Sequence, residues 1–385
     1  MFIIAFIFIS LFLVCCYNET SKTDDVKHTH SYSDAFSYDE KSHWKKVMCE
    51  HGEQLKKENH DFKEIIVNPT QQSIGYTIYR CNVCQYAYAD KVKNKVINVY
   101  LIAGQSNAVG SGIDTDNIIS NSDVRFKKGF DNVLYYAKQE WWGNGTYPNE
   151  KFEPVKLGYG ASLERSGCEI GIASALSNNN GMNAVIKTAW SATHLYPDYS
   201  QNVSLKFGTW TSPSYIKTNN VDISKNELIG KMYKLFIETV ETGFNLLIEE
   251  GYTPVFKGMI WIQGEAEMYS LEQSALYEEL LTTLIFDIRN DLSNITGYDY
   301  TNMPFISVLP NWNEEMSGAP IYENDVRNAI ISVATNGRLT NVSYIDSLGL
   351  NQHDGWHFDA LGQKYLGEQF IKKISLMNWN LFNSN

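Results

Sequence analysis

The chain has no cluster of lysine or arginine, and its 32 basic side chains are outnumbered by 44 acidic ones, for a net charge of −12. That balance excludes a nucleic-acid partner, because phosphate binding needs a basic surface. There is no internal repeat and no low-complexity tract, which excludes a repeat array. Cysteine is scarce: beyond the first sixteen residues only Cys49, Cys81, Cys84 and Cys168 occur, and three of them crowd into one early segment. Such a set does not make a disulfide framework spread over an exported protein. Histidine is scarcer still after residue 60, where only His194, His353 and His357 remain. What the chain does have is 43% hydrophobic and 13% aromatic residues over 385 positions, enough for one large domain and a small one.

The start, "MFIIAFIFISLFLV", is almost wholly apolar. Fourteen residues are short for a transmembrane helix and match the apolar core of a secretory signal, although the positively charged start is missing. Leu13-Val14-Cys15-Cys16 resembles a bacterial lipoprotein processing site, with Cys16 as the acylated residue. Residues 1–16 are therefore expected to direct export to the cell surface or beyond, with membrane attachment through a lipidated Cys16. A plain cleaved signal and an uncleaved anchor are the alternatives.

Residues 17–95 are polar and rich in histidine, with "HWKKVMCEHGEQ", "ENHDF" and "YRCNVCQYAYAD". The Cys-x-x-Cys knuckle at Cys81 and Cys84 offers two thiolates from one turn, and Cys49 with His60 or His51 would complete a tetrahedral zinc site. So short a segment builds little core alone, which makes a structural metal a natural staple. The order of these residues resembles a small module of bacterial surface proteins. The alternative is a Cys81–Cys84 disulfide with surface histidines.

From residue 96 to 385 the texture changes. Apolar runs at 97–103, 183–189, 255–262, 304–309 and 342–346 read as strands, and they alternate with helical patterns. In "NELIGKMYKLFIETVETGFNLLIEE", Leu228, Met232, Phe236 and Val240 recur four apart, on one helical face. Strand–helix alternation with buried strands predicts an α/β domain, a parallel sheet with helices on both sides. Ligands on such sheets bind beyond the carboxyl ends of the strands, where Ser106, Gln263 and the loop after Asp346 fall. The aromatic stretch 126–159, with Trp141 and Trp142, reads as a long loop and a candidate surface for a sugar.

In "VYLIAGQSNAVGSG" a strand runs into Gly104-Gln105-Ser106-Asn107. A helix N-cap is the ordinary use of such a serine. A phosphate loop is excluded, since the lysine and spacing of a P-loop are absent. A nucleophile would need a base and a group that orients it. "HDGWHFDALGQKY" supplies a candidate pair, with Asp354 three residues before His357. In "GMIWIQGEAEMY", Gln263 at a strand end can offer its amide to an oxyanion, with Glu265 nearby as an alternative orienter. In "RSGCEIGIASAL", Gly167 stands at a helix start, where a backbone N–H can face developing negative charge.

The order of these signals resembles the SGNH hydrolases, in the sialate O-acetylesterase-like branch, carbohydrate esterase family six. The resemblance spans about residues 97 to 374. It implies a three-layer α/β/α, flavodoxin-like domain, with Ser106 as nucleophile, His357 as base and Asp354 as its orienter. The oxyanion hole would be the N–H groups of Ser106 and Gly167 with the Gln263 side chain, and Glu265 and Asn107 would support it. The implied reaction removes O-acetyl groups from a carbohydrate such as sialic acid or acetylated xylan, and no cofactor is needed. Gly167-Cys168-Glu169-Ile170 stands where the family often has G-P-E-I, Glu267 where it often has Asp, and Ser191-Ala192-Thr193 where it has Gly-Gly-Thr. A carbohydrate-binding surface protein without catalysis is the alternative.

Overall fold

The computed structural model describes residues 29–50, 57–67, 76–89, 95–137, 151–179, 181–198, 207–312 and 318–381. The expected signal with Cys16, and His51, Trp141 and Trp142, lie outside the described residues. Among the described residues no helix is long and apolar enough to cross a membrane. The chain divides into two compact units, one from residues up to Ile65 with Tyr79–Tyr88, the other from Ile66–Ile78 and everything after Tyr88.

The first unit is strand-rich. Tyr32–Tyr38 pairs antiparallel with Ser42–Val47, which pairs in turn with Glu58–Asn59.

The larger unit is built on seven strands: β1 (Lys95–Gly104), β2 (Phe130–Tyr136), β3 (Glu153–Val155), β4 (Met182–Ala189), β5 (Tyr252–Ile262), β6 (Phe305–Leu309) and β7 (Val342–Asp346). Their order across the sheet is β3-β2-β4-β1-β5-β6-β7, and every neighbouring pair is parallel except β3 with β2. The five apolar runs are β1, β4, β5, β6 and β7. The expected parallel sheet is present, with one antiparallel edge strand.

Alternation along β1 shows why the domain has three layers. Val99, Leu101 and Ala103 enter one core and Tyr100 and Ile102 the other, since successive strand residues point to opposite faces. The first core is closed by helices α3 (Lys231–Glu249), α4 (Tyr277–Thr296) and α5 (Glu323–Thr335). The second is closed by α2 (Glu169–Leu176) and α6 (Ala360–Met377). Met232, Phe236 and Val240 are all fully buried on α3, each such side chain worth about 1.5–3 kcal/mol of burial. Leu228, expected on the same face, precedes the helix. Gly230 takes φ +75° at the cap, a conformation that glycine adopts without strain, and α3 begins only after it.

The stretch 126–159 is not the long loop its aromatics suggested, because it supplies β2 and β3. Val133 and Tyr135 enter one core while Tyr136 enters the other. Burial on both faces hides the strand alternation, so β2 leaves no simple period to read.

Candidate active site

β1, β4 and β5 end in register, with Gly104 paired to Ala189 on one side and Ile262 on the other. The fit leaves no room for a side chain at Gly104: a Cβ there would stand 2.0 Å from the Ile262 carbonyl oxygen, and φ is +142°. Gln105 N–H then donates to that carbonyl at 2.9 Å, and the chain turns into a one-turn helix, α1 (Ser106–Val109). Ser106 is the first helical residue of α1 and not its cap. The N-cap position is Gln105, and no side chain caps it. The ordinary use of the serine is thereby removed. The Ser106 side chain lines a cavity of about 410 Å³ together with Gln105, Glu265, Tyr269, Trp356 and His357.

His357 reaches this cavity on the loop between β7 and α6. The loop is folded back on itself by His353 N–H to the His357 carbonyl (3.0 Å) and Asp359 N–H to the Asn351 carbonyl (3.0 Å). Asp359 then caps α6, accepting from Gly362 N–H at 2.7 Å. Within the loop, Asp354 Oδ1 accepts the N–H groups of Trp356 (2.8 Å) and His357 (2.7 Å), a side-chain turn of the kind Asp favours. Its other oxygen, Oδ2, lies 2.8 Å from His357 Nδ1. The D-x-x-H spacing thus does two things with one carboxylate: it shapes the turn and orients the ring. Burial opposes the charge on Asp354, but these hydrogen bonds outweigh it and hold the carboxyl below its usual range. His353 Nε2 approaches the same oxygen at 3.4 Å. Ser106 Oγ and His357 Nε2 make no hydrogen bond to one another, and such contacts often tighten only when substrate arrives.

Asn107 joins the serine turn to the histidine loop. Its side-chain Nδ2 donates to Glu265 Oε1 and to the Trp356 carbonyl, both at 2.9 Å. Its Oδ1 accepts from Phe358 N–H at 3.2 Å, and its backbone carbonyl accepts from Gln363 Nε2 at 3.1 Å. Glu265 is buried, which raises its carboxyl above the usual range, and the Asn107 hydrogen bond only partly offsets this. Glu265 therefore sits behind Asn107 and lines the cavity. Asn107 and Glu265, both expected near the serine, are thus hydrogen-bonded to one another.

The expected oxyanion donors are less available. Gly167 N–H donates to Glu169 Oε1 at 2.7 Å. Glu169 in turn is held by Lys187, whose Nζ lies 3.0 Å from its Oε2 with both side chains fully buried. Gln263 Nε2 donates to the Thr193 carbonyl at 3.1 Å and to Glu267 Oε2 at 2.6 Å, so both its hydrogens are used. Its Oε1 accepts from Tyr277 O–H at 2.8 Å. Gly167 packs against Gly110 at the end of the serine turn, and neither it nor Gln263 is among the residues lining the cavity. The residue that reasoning from sequence passed over is Gln105. Its Oε1 accepts from Ala266 N–H at 3.3 Å, which turns the amide so that its N–H₂ meets no acceptor among the described residues. The Ser106 N–H has none either, as befits the first turn of a helix. The signal was adjacent to the serine, but a glutamine beside a nucleophile gives no clue to its rotamer.

The cavity is also lined by His194 and by Ser191 and Ala192, the first two residues of the Ser191-Ala192-Thr193 stretch. Ala192 has φ +57°, a conformation that favours glycine. On another side, the Tyr269 ring lies 5.7 Å from that of Trp356, which packs edge-on against Trp312 at 4.0 Å. Tyr269 is half exposed. In the first unit, Cys49 Sγ lies 3.1 Å from His30 Nδ1, whereas the other expected metal ligands gather elsewhere.

A family model described as carbohydrate esterase, sialic acid-specific acetylesterase, matches residues 96–375. No curated protein matches the chain. Among solved structures, a protein from Arabidopsis thaliana superposes with a TM-score of 0.50 at 15% identity, covering 74% of this chain and 99% of its own. NanS gives 0.49 at 12% identity, covering 74% and 97%. A carbohydrate acetylesterase from Xanthomonas citri gives 0.46 at 14% identity, covering 86% and 63%.

Proposed function

The chain belongs to the carbohydrate esterase family of sialic acid-specific acetylesterases, and on that premise we propose that it removes O-acetyl groups from sugars through Ser106, His357 and Asp354. Membership makes it a carboxylic ester hydrolase. The observation that carries the finer reading is the 2.8 Å contact of His357 Nδ1 with Asp354 on the wall of the cavity that Ser106 lines. That contact commits Nδ1 to the carboxylate and leaves Nε2 for the serine.

In this reading Ser106 Oγ attacks the acetyl carbonyl carbon while His357 Nε2 takes its proton. The carbonyl π electrons move to oxygen, where the Ser106 N–H and the Gln105 amide receive them. When the tetrahedral intermediate collapses, the bond to the sugar oxygen breaks and His357 returns the proton to it. Water, deprotonated by the same ring, attacks the acyl-serine and releases acetate. Asp354 stays ionised throughout and stabilises the imidazolium formed twice per turnover. Tyr269 with Trp356 offers the sugar an aromatic wall, supporting a glycan substrate over a simple ester. The apolar start of the chain, with Cys16, supports export to the cell surface.

The test is acetate release by the purified chain from O-acetylated sialic acid, acetylated xylan and p-nitrophenyl acetate. Ser106→Ala and His357→Ala should each lower kcat by about 10⁶-fold, since the pair acts as a unit. A Ser106→Ala enzyme with near-wild-type turnover would overturn the assignment. A wild-type chain that binds acetylated glycans without hydrolysing any acetyl ester would overturn the catalytic reading itself.

A further inference from the structure

We propose that the amino-terminal unit holds a zinc ion ligated by His43, His60, Cys81 and Cys84. One donor atom from each of these four side chains lies within 4.8 Å of all the others. Cys84 Sγ stands 3.4 Å from His60 Nδ1, and Cys81 Sγ 3.9 Å from His43 Nδ1. Zn–N and Zn–S bonds in a tetrahedral site place neighbouring ligand atoms about 3.3–3.8 Å apart, so the observed spacing needs little adjustment. Two thiols and two imidazole nitrogens that converge on one point form a Cys₂His₂ donor set.

The far sides of both rings are prepared as well. His60 Nε2 lies 2.8 Å from the Asp39 backbone carbonyl, which can only accept. The proton of a neutral ring is thereby held on Nε2, and the Nδ1 lone pair is turned toward Cys84. His43 Nε2 faces Glu58 Oε2 at 3.9 Å, a carboxylate on the outer side of a ring whose inner nitrogen faces Cys81. Metal-bound histidines commonly have such an outer partner. Tyr86 stacks on His60 with ring centroids 4.9 Å apart, and Phe36 packs edge-on against His43 at 5.2 Å.

Burial gives the independent reason. Among the described residues before Ile97, Cys81 is the only buried apolar side chain, and Ser42 and His43 are the only buried polar ones. The best-buried place in this unit is therefore the thiol–imidazole cluster and not a hydrophobic core. A unit with so little apolar burial needs another source of cohesion. The sequence had paired Cys49 with the knuckle. Here His43 occupies that corner, carried in by the hairpin of Tyr32–Tyr38 and Ser42–Val47, while Cys49 lies against His30.

The full chain should be purified with added zinc under reducing conditions and its metal content measured after dialysis. About one zinc per chain is expected, and cobalt in its place should give the intense visible bands of tetrahedral thiolate ligation. His43→Ala and Cys81→Ser should each lose the ion, whereas Cys49→Ser should keep it. The cobalt spectrum of the wild-type chain decides the matter without relying on variants that fail to fold. A wild-type chain without metal, a Cys81–Cys84 disulfide under these conditions, or metal lost by Cys49→Ser and kept by His43→Ala would each overturn the proposal.

Discussion

Gln263 Nε2 lies 2.6 Å from Glu267 Oε2, and that contact converts a candidate oxyanion donor into a strut of the buried wall. Glu267 also accepts the backbone N–H of Leu195 at 2.5 Å and that of Tyr196 at 3.2 Å. Strand β5 is thus tied to the loop that carries Ser191 and Ala192. In the proposed mechanism the oxyanion role falls to Gln105 rather than Gln263. Gln105→Ala should lower kcat by about 10²–10³-fold with little change in thermal stability, the size expected for one oxyanion donor. Gln263→Ala should show mainly as a lower Tm, because it leaves a buried carboxylate short of a partner. Kinetics and melting of both variants side by side check this. A kcat loss confined to Gln263→Ala would return the donor role to Gln263.

Two carboxyls of the site move in opposite directions with pH. Burial raises Glu265 above its usual value, so between about pH 4.3 and its raised value the folded state holds more protons than the unfolded one. Its contribution to stability therefore falls as pH rises through that window. Asp354 is held below its usual value; its contribution is complete above about pH 3.9 and is lost as pH falls toward its lowered value. Urea midpoints measured across pH should show the Glu265→Gln protein losing less stability than wild type as pH rises above the carboxylate range. Asp354→Asn should instead show less loss than wild type on the acid side. Parallel curves for all three proteins would contradict both assignments.

Lys187 donates to the carbonyls of Val109 (2.8 Å) and Tyr159 (2.9 Å) as well as to Glu169. Lys187→Met would leave Glu169 as an uncompensated buried charge, at a cost of about 3–5 kcal/mol. Adding Glu169→Gln removes that charge and keeps an acceptor for Gly167 N–H, so the double variant should regain a large part of the loss. Denaturant unfolding of the single and double variants measures it, and an equal loss in both would show that packing, not charge, dominates.

Ala192 adopts a left-handed conformation that costs an ordinary residue about 1–2 kcal/mol. Ala192→Gly should relieve much of this and raise Tm, even though glycine widens the unfolded ensemble. An unchanged or lower Tm would mean that the alanine methyl packs more favourably than the backbone conformation costs.

Tyr269 is the exposed member of the aromatic wall. Tyr269→Ala should raise KM on acetylated glycans by about three- to tenfold, as for an aromatic contact of about 0.5–1.5 kcal/mol, and leave p-nitrophenyl acetate hydrolysis nearly unchanged. Equal losses on both substrates would place Tyr269 in support of the loop rather than against the sugar.

What could be read along the chain is what neighbouring residues settle among themselves. The five apolar runs became β1, β4, β5, β6 and β7 because burial on both faces demands continuous apolar sequence. The Asp354–His357 pair was legible because three residues of loop are enough to close it. Tertiary structure decided the rest, since a polar group's partner depends on which distant segments pack beside it. Asn107 meets Glu265 and Trp356 only because β1, β5 and the last loop end at one edge of the sheet. Glu169 and Glu267, two and four residues beyond Gly167 and Gln263, accept their hydrogens, and the distant Lys187, Leu195 and Tyr196 hold those carboxylates in place. His43, 38 residues from Cys81, reached the cysteine knuckle through strand pairing that carries no local signature. Periodicity and short spacings specify where a strand ends or a turn closes, whereas competition for hydrogen bonds is resolved only when the whole chain is packed.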